Sequence, residues 1–252
     1  MLPPRLPPVF RIPVLILAIA VMPVPLPAQA QPGAPANRPA AVDVLRAARF
    51  TAALQEGELD GEISNDKAKF PFRMSLAGGR IVFRFTAPEQ QIALHLDDDT
   101  FRFTEKPAGK PEATLPATRH AENLRGTDIT YEDLALRFLF WKRAEILEET
   151  EFKGRKAWKI RIDNPGSPGP YAVVYAWIDQ ESAALLRVQG YNQQGRCVKQ
   201  FEILSGMKVK DGWMLKEMRV ETLDGKNDKV LSRTYMRLNK PKDNPAGSRP
   251  DW

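Results

Sequence analysis

The sequence contains very few of the residues that build disulfides, metal clusters and catalytic triads. Cys197 is the only cysteine among 252 residues, which excludes an internal disulfide and a thiolate metal cluster. There are two histidines, His95 and His120, and no serine lies in a G-x-S-x-G nucleophile elbow. Sequence position joins neither histidine to a serine or a carboxylate. We therefore predict no catalytic residues, no metal site, no cofactor, and a protein that is not an enzyme.

The chain also lacks a concentration of charge of one sign. Its 37 lysine and arginine residues and 31 acidic residues are mixed along the sequence, whereas a nucleic-acid-binding protein has a clustered basic face. We predict no nucleic-acid partner. Asp97, Asp98 and Asp99 offer the oxygen ligands that calcium prefers, but they lack the spacing and the glycine of an EF-hand loop. A solvated turn explains them better.

Long apolar runs are missing except near the start. Residues 14–21 are apolar, which is shorter than the about 20 residues that a transmembrane helix needs. Arg5 and Arg11 lie on the amino-terminal side of this run, and Ala28-Gln29-Ala30 follows it, as in a secretory signal peptide. We predict a cleaved signal peptide over 1–30, with an uncleaved anchor as the alternative. Residues 31–40 are predicted to be a flexible leader, 41–239 a single domain and 240–252 a loose tail.

Alternation of apolar and polar residues predicts strands through most of the chain. Residues 171–179 are apolar on both faces, which predicts a central strand. Helices are predicted over 42–54 and from Thr130. The fold class is therefore mainly β (α+β), with one large antiparallel sheet, curved or partly closed, and helices on one side. The predicted strands cover residues 70–76, 81–85, 92–96, 101–103, 148–152, 157–163, 171–179, 185–191, 197–209, 213–223 and 230–238.

A sharp helix start interrupts the strands. Thr130 and Asp133 have the spacing of a capping box, so the acidic residues there are explained by capping. Leu134, Phe138 and Trp141 follow at helical spacing. We predict a short apolar helix that lies over the sheet as a lid.

The apolar face of the sheet is the feature most able to carry a function. Every sheet has a core face, so an ordinary core is the simplest interpretation. Two helices, however, offer little cover for so many apolar positions, and an apolar cavity for an acyl chain would resolve the mismatch. The residues assigned to this face are Phe72, Met74, Ile81, Phe83, Phe85, Leu94, Phe101, Phe103, Trp158, Ile160, Tyr175 and Trp177.

Several motifs resemble those of exported bacterial proteins of the outer-membrane lipoprotein-sorting (LolA-like) group. Residues 126–134, Gly-Thr-Asp-Ile-Thr-Tyr-Glu-Asp-Leu, carry the resemblance most clearly. Residues 152–158 match the hairpin that follows in those proteins, and 175–179 match their central strand, continued at 185–188. The resemblance covers roughly residues 120–238 and rests on the order and spacing of the motifs.

The resemblance implies an open antiparallel half-barrel of the LolA/LolB type, with helices on its concave face. It also implies a periplasmic, monomeric carrier of lipoprotein acyl chains or of phospholipid, which receives its cargo from an inner-membrane donor and passes it to an outer-membrane acceptor. Two alternatives stay open. One is a protein–protein interaction module of the cell envelope with a filled core, and the other is an envelope hydrolase that gathers His95 or His120 with a serine or a carboxylate.

Overall fold

The computed structural model describes residues 38–53, 57–97, 100–209 and 212–239. The predicted signal peptide (1–30), most of the leader (31–40) and the tail (240–252) lie outside these residues, and they stay predictions. In the described part of the chain, no helix is both long enough and apolar enough to cross a membrane.

Thirteen strands form one sheet in which every pairing is antiparallel. The prediction of a mainly β protein with a large antiparallel sheet is confirmed. The strands are β1 Gly57–Ser64, β2 Lys69–Ala77, β3 Arg80–Thr86, β4 Glu89–Leu96, β5 Phe101–Pro107, β6 Ala113–Thr114, β7 Arg143–Phe152, β8 Arg155–Asp163, β9 Val173–Asp179, β10 Leu185–Tyr191, β11 Cys197–Val209, β12 Gly212–Leu223 and β13 Val230–Leu238.

The sheet consists of two meanders joined through one long-range pairing. Its strand order is β6-β5-β4-β3-β2-β1-β13-β12-β11-β10-β9-β8-β7, so the first strand and the last strand of the chain lie side by side in the middle. Gly61 of β1 faces Leu238 of β13 there. Among the described residues, the edge strands β6 and β7 do not pair with each other, so the sheet is not closed into a barrel.

One face of the sheet carries the core, as strand periodicity requires. Phe72 pairs with Phe85, Met74 with Phe83, and Ile160 with Ala176, and directly opposed residues share a face. We call this side the core face. Its side chains form one apolar cluster with side chains from the helical segments.

The helical segments supply the remaining part of that cluster. Helix α1, Ala41–Ala53, agrees with the predicted helix to within a residue at each end. Val44, Leu45 and Ala48 recur at helical spacing and are buried. Short 3-10 turns at Ala117–Arg119 and Leu124–Gly126 lie in the long connection after β6, and they precede α2, Tyr131–Leu134.

Candidate functional site

Residues 126–141, which we call the capped segment, begin with the predicted capping box. Thr130 Oγ1 accepts a hydrogen bond from the backbone N–H of Asp133 at 3.1 Å, and Asp133 Oδ2 accepts one from the N–H of Thr130 at 2.9 Å. Helix α2 starts directly after Thr130. The predicted capping is confirmed, and it fixes where the helix begins.

The helix that follows is much shorter than predicted. It completes a single turn and stops, because Leu136 adopts a left-handed conformation with φ 49° and ψ 44°. A separate 3-10 turn, Arg137–Phe140, comes next, and Trp141 is extended. The prediction of one continuous helix carrying Leu134, Phe138 and Trp141 is wrong for this reason. Left-handed geometry is uncommon for a leucine, so sequence periodicity gave no warning of the break.

Asp128 attaches the start of the capped segment to the middle of the sheet. Its carboxylate accepts hydrogen bonds from Thr222 Oγ1 at 2.5 Å, from Thr234 Oγ1 at 2.8 Å, and from the hydroxyl of Ser232. Thr222 belongs to β12, and the other two residues belong to β13. Three hydroxyl donors therefore satisfy one buried carboxylate.

Asp133 makes a second buried attachment besides its role in the cap. The hydroxyl of Tyr171 donates to Asp133 Oδ1 at 2.7 Å, and Lys199 Nζ lies 2.8 Å from Oδ2. Lys199 also donates to the backbone carbonyl of Asp128 at 2.6 Å. We call this network the polar anchor, and its members are Asp128, Asp133, Tyr171, Lys199, Thr222, Ser232 and Thr234.

The centre of the polar anchor is almost dry, whereas Thr222 is half-buried and Ser232 is exposed at its edge. The side chain of Asp133 has 0% of its area exposed and that of Lys199 has 9%. Burial, and then the nearby Asp133 carboxylate, raise the pKa of Tyr171 well above its usual value, so this hydroxyl stays a donor. Buried charges persist only when they are paired and hydrogen-bonded, as they are here.

Glu132 is buried beside the anchor without comparable support. It is 1% exposed, and its Oε2 has no hydrogen-bond partner among the residues described. Arg137 Nη1 lies 3.8 Å from this oxygen. Burial raises the pKa of Glu132 to about 7, and the neighbouring Arg137 opposes that shift.

A further polar cluster holds the other side of α2. The hydroxyl of Tyr131 donates to Glu105 at 2.9 Å, and Arg119 Nη1 donates to the same carboxylate at 2.6 Å. Burial acts to raise the pKa of Glu105, but hydrogen bonds from Arg119, Gln90 and Tyr131 leave it below its usual value. The amino-terminal half of the capped segment is thus fixed by directional bonds on both sides.

An apolar cavity of about 490 Å³ adjoins the anchor. Leu134, Leu136 and Leu139 of the capped segment and Ala48 of α1 line it from one direction. The anchor residues Lys199, Thr222 and Thr234 lie on β11, β12 and β13, respectively. Each of these three strands also contributes side chains to the cavity lining. The lining side chains of the sheet include Met74, Leu76, Ile81, Phe83, Phe201, Ile203, Met214, Leu215, Met218, Met236 and Leu238.

The cavity includes some of the predicted site residues but not all of them. Met74, Ile81, Phe83 and Leu134 line it. Most of the others belong to the apolar cluster elsewhere and do not line the cavity. These are Phe72, Phe85, Leu94, Phe103, Ile160, Phe138 and Trp141, which are buried, and Phe101 and Trp158, which are half-buried.

Tyr175 and Trp177 lie on the opposite face of the sheet. Tyr175 pairs with Arg161 and Gln189, and Trp177 pairs with Lys159 and Arg187, one position out of step with the core-face pair Ile160 and Ala176. The Arg187 guanidinium stands 5.2 Å from the centroid of the Trp177 ring. Strand β9 is apolar on both faces, so composition alone did not identify which alternating set points to the core.

Charged residues occur at one part of the cavity lining. Lys153 and Arg155 come from the turn and strand start of the β7–β8 hairpin, and Ser182 comes from the β9–β10 turn. Arg155 Nε and Nη2 each donate to Asp179 at 2.8 Å, and Lys153 pairs with Glu202. The hydrogen bonds from Arg155 lower the pKa of Asp179 to about 2. The sequence did not indicate these residues, because hairpin turns carry similar residues in most proteins.

The two histidines do not take part in this site. His95 Nε2 lies 3.4 Å from Thr104 Oγ1, and His120 Nε2 lies 3.2 Å from the carbonyl of Leu115. Neither lines the cavity. Over residues 38–53, 57–97, 100–209 and 212–239, no three histidine, cysteine or acidic side chains are grouped so that they could hold a metal ion.

A protein-family model with the description "Uncharacterized protein" matches residues 80–245, which is more than half of the chain. Comparison with curated proteins gives no match.

Solved structures with the same fold come from several bacteria. A protein described as an outer membrane lipoprotein-sorting domain, from Vibrio parahaemolyticus, is 16% identical with a TM-score of 0.62, covering 79% of this chain and 90% of its own. A DUF1329-family protein from Desulfovibrio piger is 14% identical with a TM-score of 0.61 and the same coverage. A LolA superfamily protein from Nitrosomonas europaea is 14% identical with a TM-score of 0.60, covering 82% of this chain and 96% of its own.

Proposed function

We propose that this chain is an envelope protein that binds the acyl chains of lipids or lipoproteins. It belongs to the family whose model matches residues 80–245. It also has the fold of the LolA-like group, as its motifs indicated. In this proposal it is a carrier rather than an enzyme. The predicted domain 41–239 acts as one unit and works as a monomer in the periplasm.

The observation that carries this proposal is the apolar cavity between the core face and the capped segment. Its volume of about 490 Å³ lies within the range of about 300–1,000 Å³ that small-molecule sites occupy. A hydrocarbon chain needs no directional partner there, and each buried methylene contributes about 0.8 kcal/mol. An interaction module with a filled core would leave no such space.

The contacts also support a mechanism for loading. The amino-terminal half of the capped segment is held by the polar anchor, whereas the apolar side chains of Leu136 and Leu139 line the cavity. We propose that the sheet forms a half-barrel whose concave side is covered by the helical segments. An entering chain then pushes aside the side chains of Leu136 and Leu139, while Asp128 and Asp133 hold the segment in register and Phe138 stays packed in the core.

Four methionines make the opposite wall adaptable. Met74, Met214, Met218 and Met236 all line the cavity, and methionine fits irregular shapes because its side chain is unbranched and flexible. Loading from an inner-membrane donor and release to an outer-membrane acceptor would need a site that tolerates both an empty and a filled state.

The test is the lipid content and lipid affinity of the mature protein purified without detergent. Mass spectrometry is expected to find bound lipid, and a fluorescent fatty-acid analogue is expected to bind in a saturable manner. Ala184→Trp places a large ring at the cavity lining and should abolish both. Val173→Trp, on the opposite face of β9, is the matched control and should leave them unchanged. Absence of bound lipid together with no binding of the analogue would contradict the proposal.

A further inference from the structure

The volume of the cavity limits how many acyl chains it holds. An apolar cavity of about 150 Å³ accommodates a benzene ring, which has six carbons. The cavity here measures about 490 Å³, roughly three times as much, which corresponds to about 20 carbons on the same scale. One long acyl chain fits this space. The two chains of a diacyl phospholipid and the three of a triacylated lipoprotein exceed it.

Core-face side chains that lie outside the cavity lining are buried in the part of the chain that the structure describes. Phe138 and Ile160 are 0% exposed and Phe103 is 1% exposed, so the protein itself fills these positions. On the side of the anchor, Asp133 is occupied by Tyr171 and Lys199. A second chain would have to displace close-packed core or break buried ionic hydrogen bonds, and both are costly.

The charged part of the lining indicates the head group. Lys153 and Arg155 have 52% and 47% of their side-chain area exposed, so solvent reaches both cations. Arg155 uses Nε and Nη2 on Asp179, which leaves Nη1 without an acceptor among the residues that the structure describes. The acidic partners Asp179, Glu181 and Glu202 do not line the cavity, and the lining carboxylate Asp133 is buried in the anchor. A carboxylate or a phosphate suits such donors.

We propose that this cavity binds a monoacyl amphiphile, with one chain of about 16–18 carbons in the apolar space and an anionic head group at Lys153 and Arg155. The inference rests on the proposed function and narrows its substrate class. It predicts that lipids with more than one chain are not held in the cavity.

A series of fatty acids tests the size limit. Delipidated mature protein is titrated with saturated fatty acids of increasing length while displacement of a fluorescent fatty-acid analogue is followed. Affinity should rise about fourfold for each added methylene while the chain fills apolar space. It should stop rising near 18 carbons. Affinity that keeps rising well past about 20 carbons would overturn the proposed limit.

Four lipids distinguish the sources of the anionic head and the number of chains. Palmitate and lysophosphatidylglycerol each have one acyl chain, but the head group is a carboxylate in palmitate and a phosphate in lysophosphatidylglycerol. Diacyl phosphatidylglycerol has two chains, and a triacylated lipopeptide has three. Native mass spectrometry is expected to show one palmitate or one lysophosphatidylglycerol per protein, and whichever binds more tightly identifies the head. Binding of the diacyl or triacyl lipid as tightly as palmitate overturns this inference while the proposed function stands. Binding of none of the four contradicts both.

The head-group contact is tested with Lys153→Gln. Palmitate should bind roughly two- to fivefold more weakly to this variant, since an exposed ion pair contributes little. Hexadecanol, which has the same chain and no charge, should bind the variant and the unaltered protein equally. Lys156→Gln, three residues further along the same hairpin and outside the cavity lining, is the matched control. An equal loss for palmitate and hexadecanol would show that Lys153 does not contact the head.

Discussion

The polar anchor and the apolar cavity lie next to each other along the same three strands, and they are built in opposite ways. On β13, Thr234 donates to Asp128, and Met236, two residues further on the same face, lines the cavity. On β12, Thr222 belongs to the anchor and Met218 lines the cavity. On β11, Lys199 and Phe201 repeat the pattern. One region is held by directional bonds, and the other by apolar contact and open space.

Directional bonds in the polar anchor fix the position of a segment, whereas apolar contacts around the cavity leave space that a ligand can occupy. A buried carboxylate with three donors, such as Asp128 or Asp133, has one satisfactory geometry, so the anchor specifies the position of residues 128–133. Apolar side chains such as methionine accept several arrangements, so the cavity wall can adjust to what enters. The left-handed Leu136 lies between the anchored residues 128–133 and Leu139, which lines the cavity. It is the point at which we expect the capped segment to bend.

The largest effect should follow from breaking the anchor with Asp133→Ala. The change removes half of the capping box and the acceptor of the buried Tyr171 hydroxyl, and it leaves Lys199 buried with the backbone carbonyl of Asp128 but without a counter-ion. We expect the free energy of unfolding to fall by about 3–5 kcal/mol, because an unpaired buried charge is costly. Denaturant unfolding measures it. Asp60→Ala, which breaks the exposed pair with Arg73, should cost less than about 1 kcal/mol. Similar losses for the two variants would contradict a special role for the anchor.

The next largest effect should come from Glu132, a carboxyl group that is buried beside the polar anchor but is not part of it. The pKa of Glu132 is raised from its usual 4.5 to about 7 in the folded protein. The folded state therefore binds this proton more tightly, and the stability from it is complete below pH 4.5 and is lost as the pH rises to about 7. The loss should be about 3 kcal/mol.

Glu132→Gln isolates this contribution, because the amide stays neutral at every pH. The difference in unfolding free energy between the protein and this variant should change across pH 4.5–7 and be constant above it. Groups such as Glu105 that titrate in both proteins cancel in the difference. A difference that stays flat through the whole window would show that Glu132 is not protonated as described.

The smallest effects compare two neighbours on β13. Thr234→Val keeps the shape but removes a donor from buried Asp128, and it should cost about 1–3 kcal/mol. Met236→Leu conserves volume beside open space and should cost less than about 1.5 kcal/mol. The same denaturant titrations measure both. If Met236→Leu proved the more damaging, the wall of the cavity would be as tightly specified as the anchor.

Much of the fold is present in the sequence as periodicity. Alternating runs placed eleven strands, nine of them within three residues of their observed bounds, because each strand buries one face and exposes the other. The predicted runs for β5 and β7 were too short by four and five residues, and the two-residue β6 was not predicted. Strand β1, Gly57–Ser64, was missed because its inward positions include Gly61, which cannot signal hydrophobicity. A glycine is required there, since an added Cβ would lie 2.5 Å from the Phe72 ring.

The candidate site was less accessible to sequence reasoning. The capping box was visible because its partners are three residues apart, whereas Lys199 and Tyr171 reach Asp133 from 66 and 38 residues away. Phe138 and Trp141 were expected over the cavity, but the break at Leu136 directs Leu136 and Leu139 there instead. Polar contacts between residues far apart in the sequence, and left-handed residues, produce no periodic pattern in the sequence.

The most direct test of acyl-chain binding in the cavity is to identify the residues to which a bound acyl chain cross-links. A fatty acid that carries a photoactivatable diazirine on its chain is bound to the mature protein and illuminated, and the modified residues are identified by mass spectrometry. We expect modification of cavity residues such as Met218, Leu139 and Leu185, and unlabelled palmitate should compete it. Modification confined to Tyr175 and Trp177 on the opposite face, or none that palmitate competes, would contradict binding of an acyl chain in the cavity.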